Sequence, residues 1–490
     1  MLIIKELITL ISPQRIKNIK ILGGINSKVR KFYKGISEGN IKDEETAIKF
    51  LFPDANNPKQ AYADIKRAIR KSLIDALFIV NYGKEIPIYQ KNYISCLKNY
   101  TAAKILISLG FREGAINLAE KTLNKATSNE FTEITLSLAR SLSDLYASNT
   151  GNIKNYYKII GIIKEQQIQL NKEILVQNCY TELIINLNVN KKQESFPSLL
   201  SKFKEIAENN IEESNTFLTI FYAYNILIHY YENKSDFHSI IKYSEEAIKI
   251  ISKKQYSLPT LPFLYYYSKS IPYAFQNRQW EKAGELVDKC LALLLNKEYN
   301  YHAILVYRAM LGFHSGNYQL AYEALQLHKK AKLNAPLLKE QWQIIEAWVM
   351  LFAGWGKIDL DGQKPNFRVF KFINSVPNFI KDKPGHNSVI QLLKFLFFFQ
   401  QKKYDKLLDM STPFKLYAHR YLKPKVNART RYIIRTVCAV ADEGFDKKLG
   451  RKKARADFEK LKNNPVNFLK QKTVEIVPFE LVAETVFENL

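Results

Sequence analysis

One recurring interval constrains this chain more than any single motif. The small or apolar residue three or four positions into successive helical segments falls at Ala115, Tyr156, Leu199, Ile240, Ala283 and Ala321, spacings of 41, 43, 41, 43 and 38 residues. A period in that range marks helix pairs, each burying its apolar face on its neighbours. The clearest copy is Ala309–Pro336, AMLGFHSGNYQLAYEALQLHKKAKLNAP. It predicts an apolar helix up to Phe313, a turn at Ser315-Gly316-Asn317 and a second helix from Tyr318 to about Ala331. Small Ala309 and Ala321 let the two helices approach, with Leu320, Leu325 and Leu327 as apolar contacts. Turn residues precede the other second helices: Thr150-Gly151-Asn152, Asn233–Asp236 and Gln276–Gln279. Further second helices are expected near Phe367 and Tyr404, with loops interrupting the rhythm between 353 and 388.

A Gly/Asn turn, an aromatic residue and then a small residue three further on resembles a tetratricopeptide repeat. LISLGFREGAINLAEKTLNKA, with Gly110, Phe111, Ala115 and Ala119, is similar in the same way. The resemblance spans roughly 100–410. It implies an all-α, right-handed α-solenoid of about 7–8 hairpins whose inner helices line a groove for a protein or peptide partner. The expected organisation is a small helical N-terminal domain (1–95), the repeats (96–425) and a basic helical C-terminal cap (426–490). The closing stretch VEIVPFELVAETVFENL is expected to cover the last apolar face.

Composition agrees with an all-α chain. Apolar residues are 47% of the 490, enough for a folded core, while 18 Gly and 16 Pro leave little turn chemistry for a many-stranded β protein. Cys96, Cys179, Cys290 and Cys438 form no CxxC pair and read as reduced, buried small hydrophobes. The N-terminal MLIIKELITLISPQR carries Glu6 and no small-residue cleavage site, so it reads as an amphipathic helix rather than a signal peptide. The longest uncharged aromatic run, Thr216–Tyr231, contains His229 and falls short of the roughly 20 apolar residues of a membrane span. A cytoplasmic location without a membrane span is the expectation.

Net charge is +26, and it is concentrated. Residues 1–104 carry +10 and 401–472 carry +13, against −4 in the tail 473–490. In the N-terminal part, helices are expected at 28–38, 43–52 and 58–80. Asp43 is the N-cap of the second, Pro53 stops it, and Pro58 starts the third. In the third helix Ile65, Ile69, Leu73, Ala76 and Leu77 form an apolar stripe, and Lys66, Arg67, Arg70 and Lys71 project away from it. This 28–80 unit is similar to part of the winged-helix output domain of bacterial activators of the antibiotic-regulatory-protein type. There a proline-started, Arg-rich helix reads DNA ahead of tetratricopeptide helices, and a wing would fall at Phe78–Pro87. The competing reading is a helical cap on the solenoid.

At the other end NARTRYIIRTVCAVADEGFDKKLGRKKARADFEKLKNN predicts two helices broken around Gly444 and Gly450. Arg429, Arg431, Arg435, Lys452 and Lys453 join the N-terminal four residues as candidate contacts to nucleic-acid phosphates. Aromatic runs such as Phe217, Phe221, Tyr222 and Tyr224, or Phe395 with Phe397–Phe399, read as core between helix layers. The seven histidines (229, 238, 302, 314, 328, 386, 419) show no metal spacing, and no phosphate loop or nucleophile elbow is present. No enzyme activity, cofactor or metal is expected. The function the sequence favours is a non-enzymatic interaction scaffold with its partner in the groove. The alternative is a nucleic-acid-binding regulator.

Overall fold

The computed structural model describes all residues except 12–26, 55–56, 81–85, 150–151, 190–195, 214–215, 255–260, 295–298, 332–335, 370–371, 373–385, 424–426 and 470–474. Among the described residues there are helices and no strands. Two compact units divide the chain: Met1–Leu175 with Ser214–Phe217 and Lys254–Pro259, and Val176–Glu213, Leu218–Lys253 and Thr260–Leu490.

The first unit opens with α1 (Leu2–Leu10), α2 (Lys28–Ser37), α3 (Glu44–Leu51) and α4 (Pro58–Ile79). These last three bounds lie within a residue of those expected, because the punctuation is chemical. The Asp43 carboxylate accepts the Thr46 N–H at 2.8 Å and the Thr46 hydroxyl accepts the Asp43 N–H at 3.1 Å, a reciprocal cap. Pro58 begins α4 where its missing N–H costs nothing. Ile4, Ile11, Phe32, Tyr62, Ile69 and Leu73 close one core between α1, α2, α3 and α4. Of the expected wing at Phe78–Pro87, Phe78 and Ile79 are the last residues of α4, and residues 81–85 lie outside the described residues.

Next come α5 (Ile88–Ser108), α6 (Arg112–Ser128), α7 (Thr132–Asn149) and α8 (Ile153–Val189), the last counted with the first unit up to Leu175. The periodicity places a turn between the segments carrying Tyr156 and Leu199. The structure instead runs α8 unbroken for 37 residues. Within Ile153–Val189 there is no proline and one glycine, Gly161, so nothing local stops the helix.

The second unit continues with α9 (Phe196–Glu213), α10 (Phe217–Lys234), α11 (Phe237–Ser252), α12 (Leu261–Gln276), α13 (Trp280–Ala292), α14 (Tyr299–Ser315), α15 (Gln319–Ala331) and α16 (Pro336–Gly354). It closes with α17 (His386–Gln400), α18 (Tyr404–Tyr421), α19 (Ala428–Asp442), α20 (Lys447–Lys462) and α21 (Phe479–Glu488). Helices pack mainly on the next in sequence, and α12 also touches α14, as α14 touches α16. The α14–α15 hairpin matches its expected bounds to within a residue or two. A Cβ on Gly312 would come within 2.8 Å of the Ala321 backbone nitrogen, so the helices meet there at glycine distance. The core from Leu264 to Val486 is continuous, with Trp348, Phe352, Phe395 and Phe479 fully buried. Residues 426–490 therefore share it with the hairpins before them. All four cysteines are buried and free.

A common device ends the first helix of a pair. At Gly110, Ser235, Arg278 and Lys402 the backbone takes positive φ, and the next N–H reaches back five residues to a carbonyl of the last turn. Phe111 bonds Leu106 at 2.9 Å, Asp236 bonds Tyr231 at 3.0 Å, Gln279 bonds Ala274 at 2.8 Å and Lys403 bonds Phe398 at 3.0 Å. Glu130 closes α6 onto α7 in the same way. Gly450, expected as a helix break, lies inside α20. Its missing side chain lets α20 sit against α19, where an added Cβ would stand 3.4 Å from the Val440 Cα.

Candidate functional site

In the second unit a cavity of about 600 Å³ opens along the first helices of three successive pairs, α10, α12 and α14. Phe221, Tyr265, Tyr273, Ile304 and Tyr307 form its apolar wall, so Phe221, expected in the core, faces this space instead. Pro272 also lines it, and having no N–H it leaves the Ser268 carbonyl, four residues back, without its helical donor.

One polar network sits in this wall. Glu232 accepts from Lys269 at 2.7 Å and its other oxygen lies 2.7 Å from His229 Nδ1. Tyr180 stacks on the His229 ring at 6.3 Å, and Tyr265 Oη lies 3.5 Å from its Nε2. Burial alone would raise the Glu232 carboxyl. The His229 contact and the Lys269 charge outweigh it and hold the group at about 2. Glu232 is thus held as an anion beside the Lys269 ammonium.

At one end the cavity is walled by the chain itself. After α20 the segment Pro465–Leu469 crosses α12 and α14, and Phe468 and Leu469 line the opening. Gln276 Oε1 accepts the Phe468 backbone N–H at 3.0 Å. The Phe468 ring meets Phe275 at 5.3 Å and His314 at 5.0 Å between centroids. Burial pushes the His314 imidazole down to about 4. Its Nε2 is enclosed with no hydrogen-bond partner among the described residues.

The sequence-derived phosphate candidates separate into two groups. On α4, Arg70 and Lys71 are exposed, Arg67 stands 3.7 Å from exposed Asp64, and Lys66 bonds Glu44. At the C-terminal end Arg429 is buried. It donates to Glu475 at 2.6 and 2.8 Å, to Glu480 at 2.6 Å and to the carbonyls of Leu461 and Asn464. Burial favours its neutral form, but the two carboxylates more than offset that and hold its pKa above the ordinary arginine range. It is a structural counter-ion and offers no charge to a phosphate. Arg435 pairs with Asp457 at 3.0 Å, Lys453 with Glu443 at 2.6 Å, and Arg431 is half-buried beside the Leu422 carbonyl. Lys452 is exposed.

Two further histidines meet: His302 and His328 bring their Nδ1 atoms to 2.8 Å, and His328 stacks on Trp342 at 4.1 Å. Among the described residues no group of three or more metal-ligating side chains assembles, and no helix is long and apolar enough to cross a membrane. The groove escaped sequence reasoning because its parts come from α10, α12, α14 and a segment nearly 200 residues further on. Its one local signal is the i, i+3 pair His229 and Glu232. No protein-family model, no curated protein and no solved structure matches the chain.

Proposed function

We propose that this chain is a non-enzymatic scaffold of tetratricopeptide-like hairpins that holds an extended peptide of a protein partner along α10, α12 and α14. One observation carries the reading. A non-helical piece of polypeptide, Pro465–Leu469, already lies at this groove and turns at Phe468–Leu469, with the Phe468 N–H on Gln276 and its ring against Phe275 and His314. Helix side chains supplying backbone acceptors and aromatic seats are what an extended peptide requires. Three successive first helices contribute to the wall, as an inner repeat face would. A photo-reactive amino acid tests this. Placed at Tyr307 or Tyr273 it should form an adduct with a partner, whereas at Lys282 on α13 or Glu245 on α11 it should not. Adducts formed only from α11 and α13 overturn the assignment.

A second reading rests on α4, where Arg67, Arg70 and Lys71 are exposed on the side away from Ile69 and Leu73. Used on duplex phosphates, they make the protein a nucleic-acid-binding regulator. Binding to random-sequence duplex DNA across a salt series tests it. Loss of two phosphate contacts in Arg67→Ala with Arg70→Ala should lower the log–log salt slope by about 2. No binding at low salt removes this reading.

A further inference from the structure

The segment Pro465–Leu469 and the open cavity beyond it form one continuous surface. Resting on the groove reading above, we infer that this segment is an internal stand-in for the partner. It occupies the entrance of the groove in cis and is displaced by a partner segment of the same chemistry, a non-helical stretch carrying an aromatic residue followed by an aliphatic one.

The chemistry comes from what the chain places there. Phe468 sits with its ring against Phe275 and His314 and its N–H on Gln276. Leu469 follows and lines the cavity together with Tyr265, Tyr273 and Tyr307. A partner that repeats this pair can use the same seat and then continue into the 600 Å³ that the internal segment leaves open. It therefore gains contacts that the cis segment lacks.

The cis segment is also held in a way that permits release. Phe468 and Leu469 are only half-buried, whereas Phe479, fourteen residues from the start of that segment in α21, is 1% exposed. The Leu469 N–H also bonds Asn467 Oδ1 at 3.0 Å, a local contact that survives detachment. The anchors on both sides are firm: Leu461 is fully buried in α20, and Glu475 is fixed by Arg429. Displacement thus needs only Pro465–Leu469 to lift, and it leaves α20 and α21 docked. Because entry of a partner must first remove Phe468, occupancy in cis lowers apparent affinity by the fraction of time the seat is free.

The probe is a fluorescent, C-terminally amidated heptapeptide copying Asn463–Leu469 (NNPVNFL), titrated into the full-length chain. Phe468→Ala protein, with its own seat vacated, should bind it at least tenfold more tightly than wild type. The heptapeptide with alanine in place of its phenylalanine should bind neither. Hydrogen exchange on the wild-type protein avoids reliance on a variant. Saturating heptapeptide should speed exchange of the 466–469 amides while leaving α21 protected. Equal, phenylalanine-dependent affinity for wild type and Phe468→Ala overturns occupancy in cis and leaves the groove reading standing. Failure to bind Phe468→Ala protein that keeps its melting transition overturns the inferred partner chemistry, and the photo-crosslinks from Tyr307 then judge the groove separately. Unchanged exchange at 466–469 under saturation also overturns the inference.

Discussion

Two basic ends that look alike in sequence behave differently in the fold. Residues 1–104 carry +10 and 401–472 carry +13, yet α4 holds Arg67, Arg70 and Lys71 in solvent while α19 turns Arg429 into the interior. The difference lies in the counter-charge. The acidic tail supplies Glu475 and Glu480 to Arg429, and Asp457 and Glu443 on and beside α20 take up Arg435 and Lys453. On α4 the nearby acids, Glu44 and Asp64, answer Lys66 and Arg67 only at the exposed surface. A run of positive residues therefore says where charge is spent only once its anions are located.

The comparison breaks first at Arg429. Arg429→Met strands Glu475 without its partner in a buried site, and removing one member of such a pair costs about 3–5 kcal/mol. The second unit should melt roughly 10 °C lower by calorimetry. Arg70→Met on α4 should stay within about 0.5 kcal/mol of wild type. Adding Glu475→Gln to Arg429→Met should recover part of the loss, because the uncompensated charge is gone. If Arg429→Met is as harmless as Arg70→Met, the two ends are alike after all.

Acid sharpens the same contrast. The first histidine in the chain is His229, so the N-terminal unit contains none. His314, beside Phe468, and His328, against Trp342, are both pushed down to about 4 by burial. A lowered histidine pKa means the unfolded chain takes up its proton first, near 6.5. The stabilisation is full above that value and is lost as pH falls from 6.5 to 4. In the N-terminal unit Asp43 is held below its ordinary range by Thr46, and Glu44 by Lys66, so their contribution persists until pH drops beneath the usual carboxylate values. Rate-corrected hydrogen exchange at pH 7 and pH 4.5 should show α14, α15 and α16 losing protection while α2, α3 and α4 keep theirs. His314→Gln should reduce the difference. Equal loss in both places would assign acid sensitivity to the carboxylates.

How much of this was legible follows from where the information sits. The helices at 28–37, 44–51 and 58–79 could be bounded because Asp43, Pro53 and Pro58 act on their own neighbours. The α14–α15 hairpin could be read because Gly312, Gly316 and Ala321 are all local to it. The unbroken α8 could not, since the repeat interval puts Tyr156 and Leu199 in successive second helices with a separate first helix between them, and Ile153–Val189 contains no proline to divide it. Gly450 signals close packing and a break with the same letter, and only Val440 across the interface decides between them. Arg429 and Phe468 were beyond reach for one reason: the partners of Arg429 lie 46 and 51 residues away, and Gln276 lies 192 from Phe468.

The smallest expected effect sets the turns of the two regions against each other. In the first unit Gly39 and Gly110 take positive φ, at 81° and 82°, where the lack of a side chain removes the steric penalty, and Glu130 takes it at 55°. Between three of the later helix pairs the same region is occupied by Ser235, Arg278 and Lys402, at 55°, 54° and 55°, while Gly316 holds it between α14 and α15. Each of these L-residues brings Cβ close to a backbone carbonyl, at a cost of about 1–2 kcal/mol before the loss of unfolded-state entropy on changing to glycine is set against it. Arg278→Gly should therefore stabilise the second unit by about 0.5–1 kcal/mol net, with its turn bond from Gln279 to Ala274 retained. Gly39→Ala should destabilise the first unit by about 1 kcal/mol, since the space around it is open and only backbone strain opposes the change. Opposite signs in paired denaturant titrations would show that the later turns keep left-handed backbone because the helices on both sides impose it. Matching signs would mean that the side chains of Ser235, Arg278 and Lys402 contribute more to these turns than their backbone geometry costs.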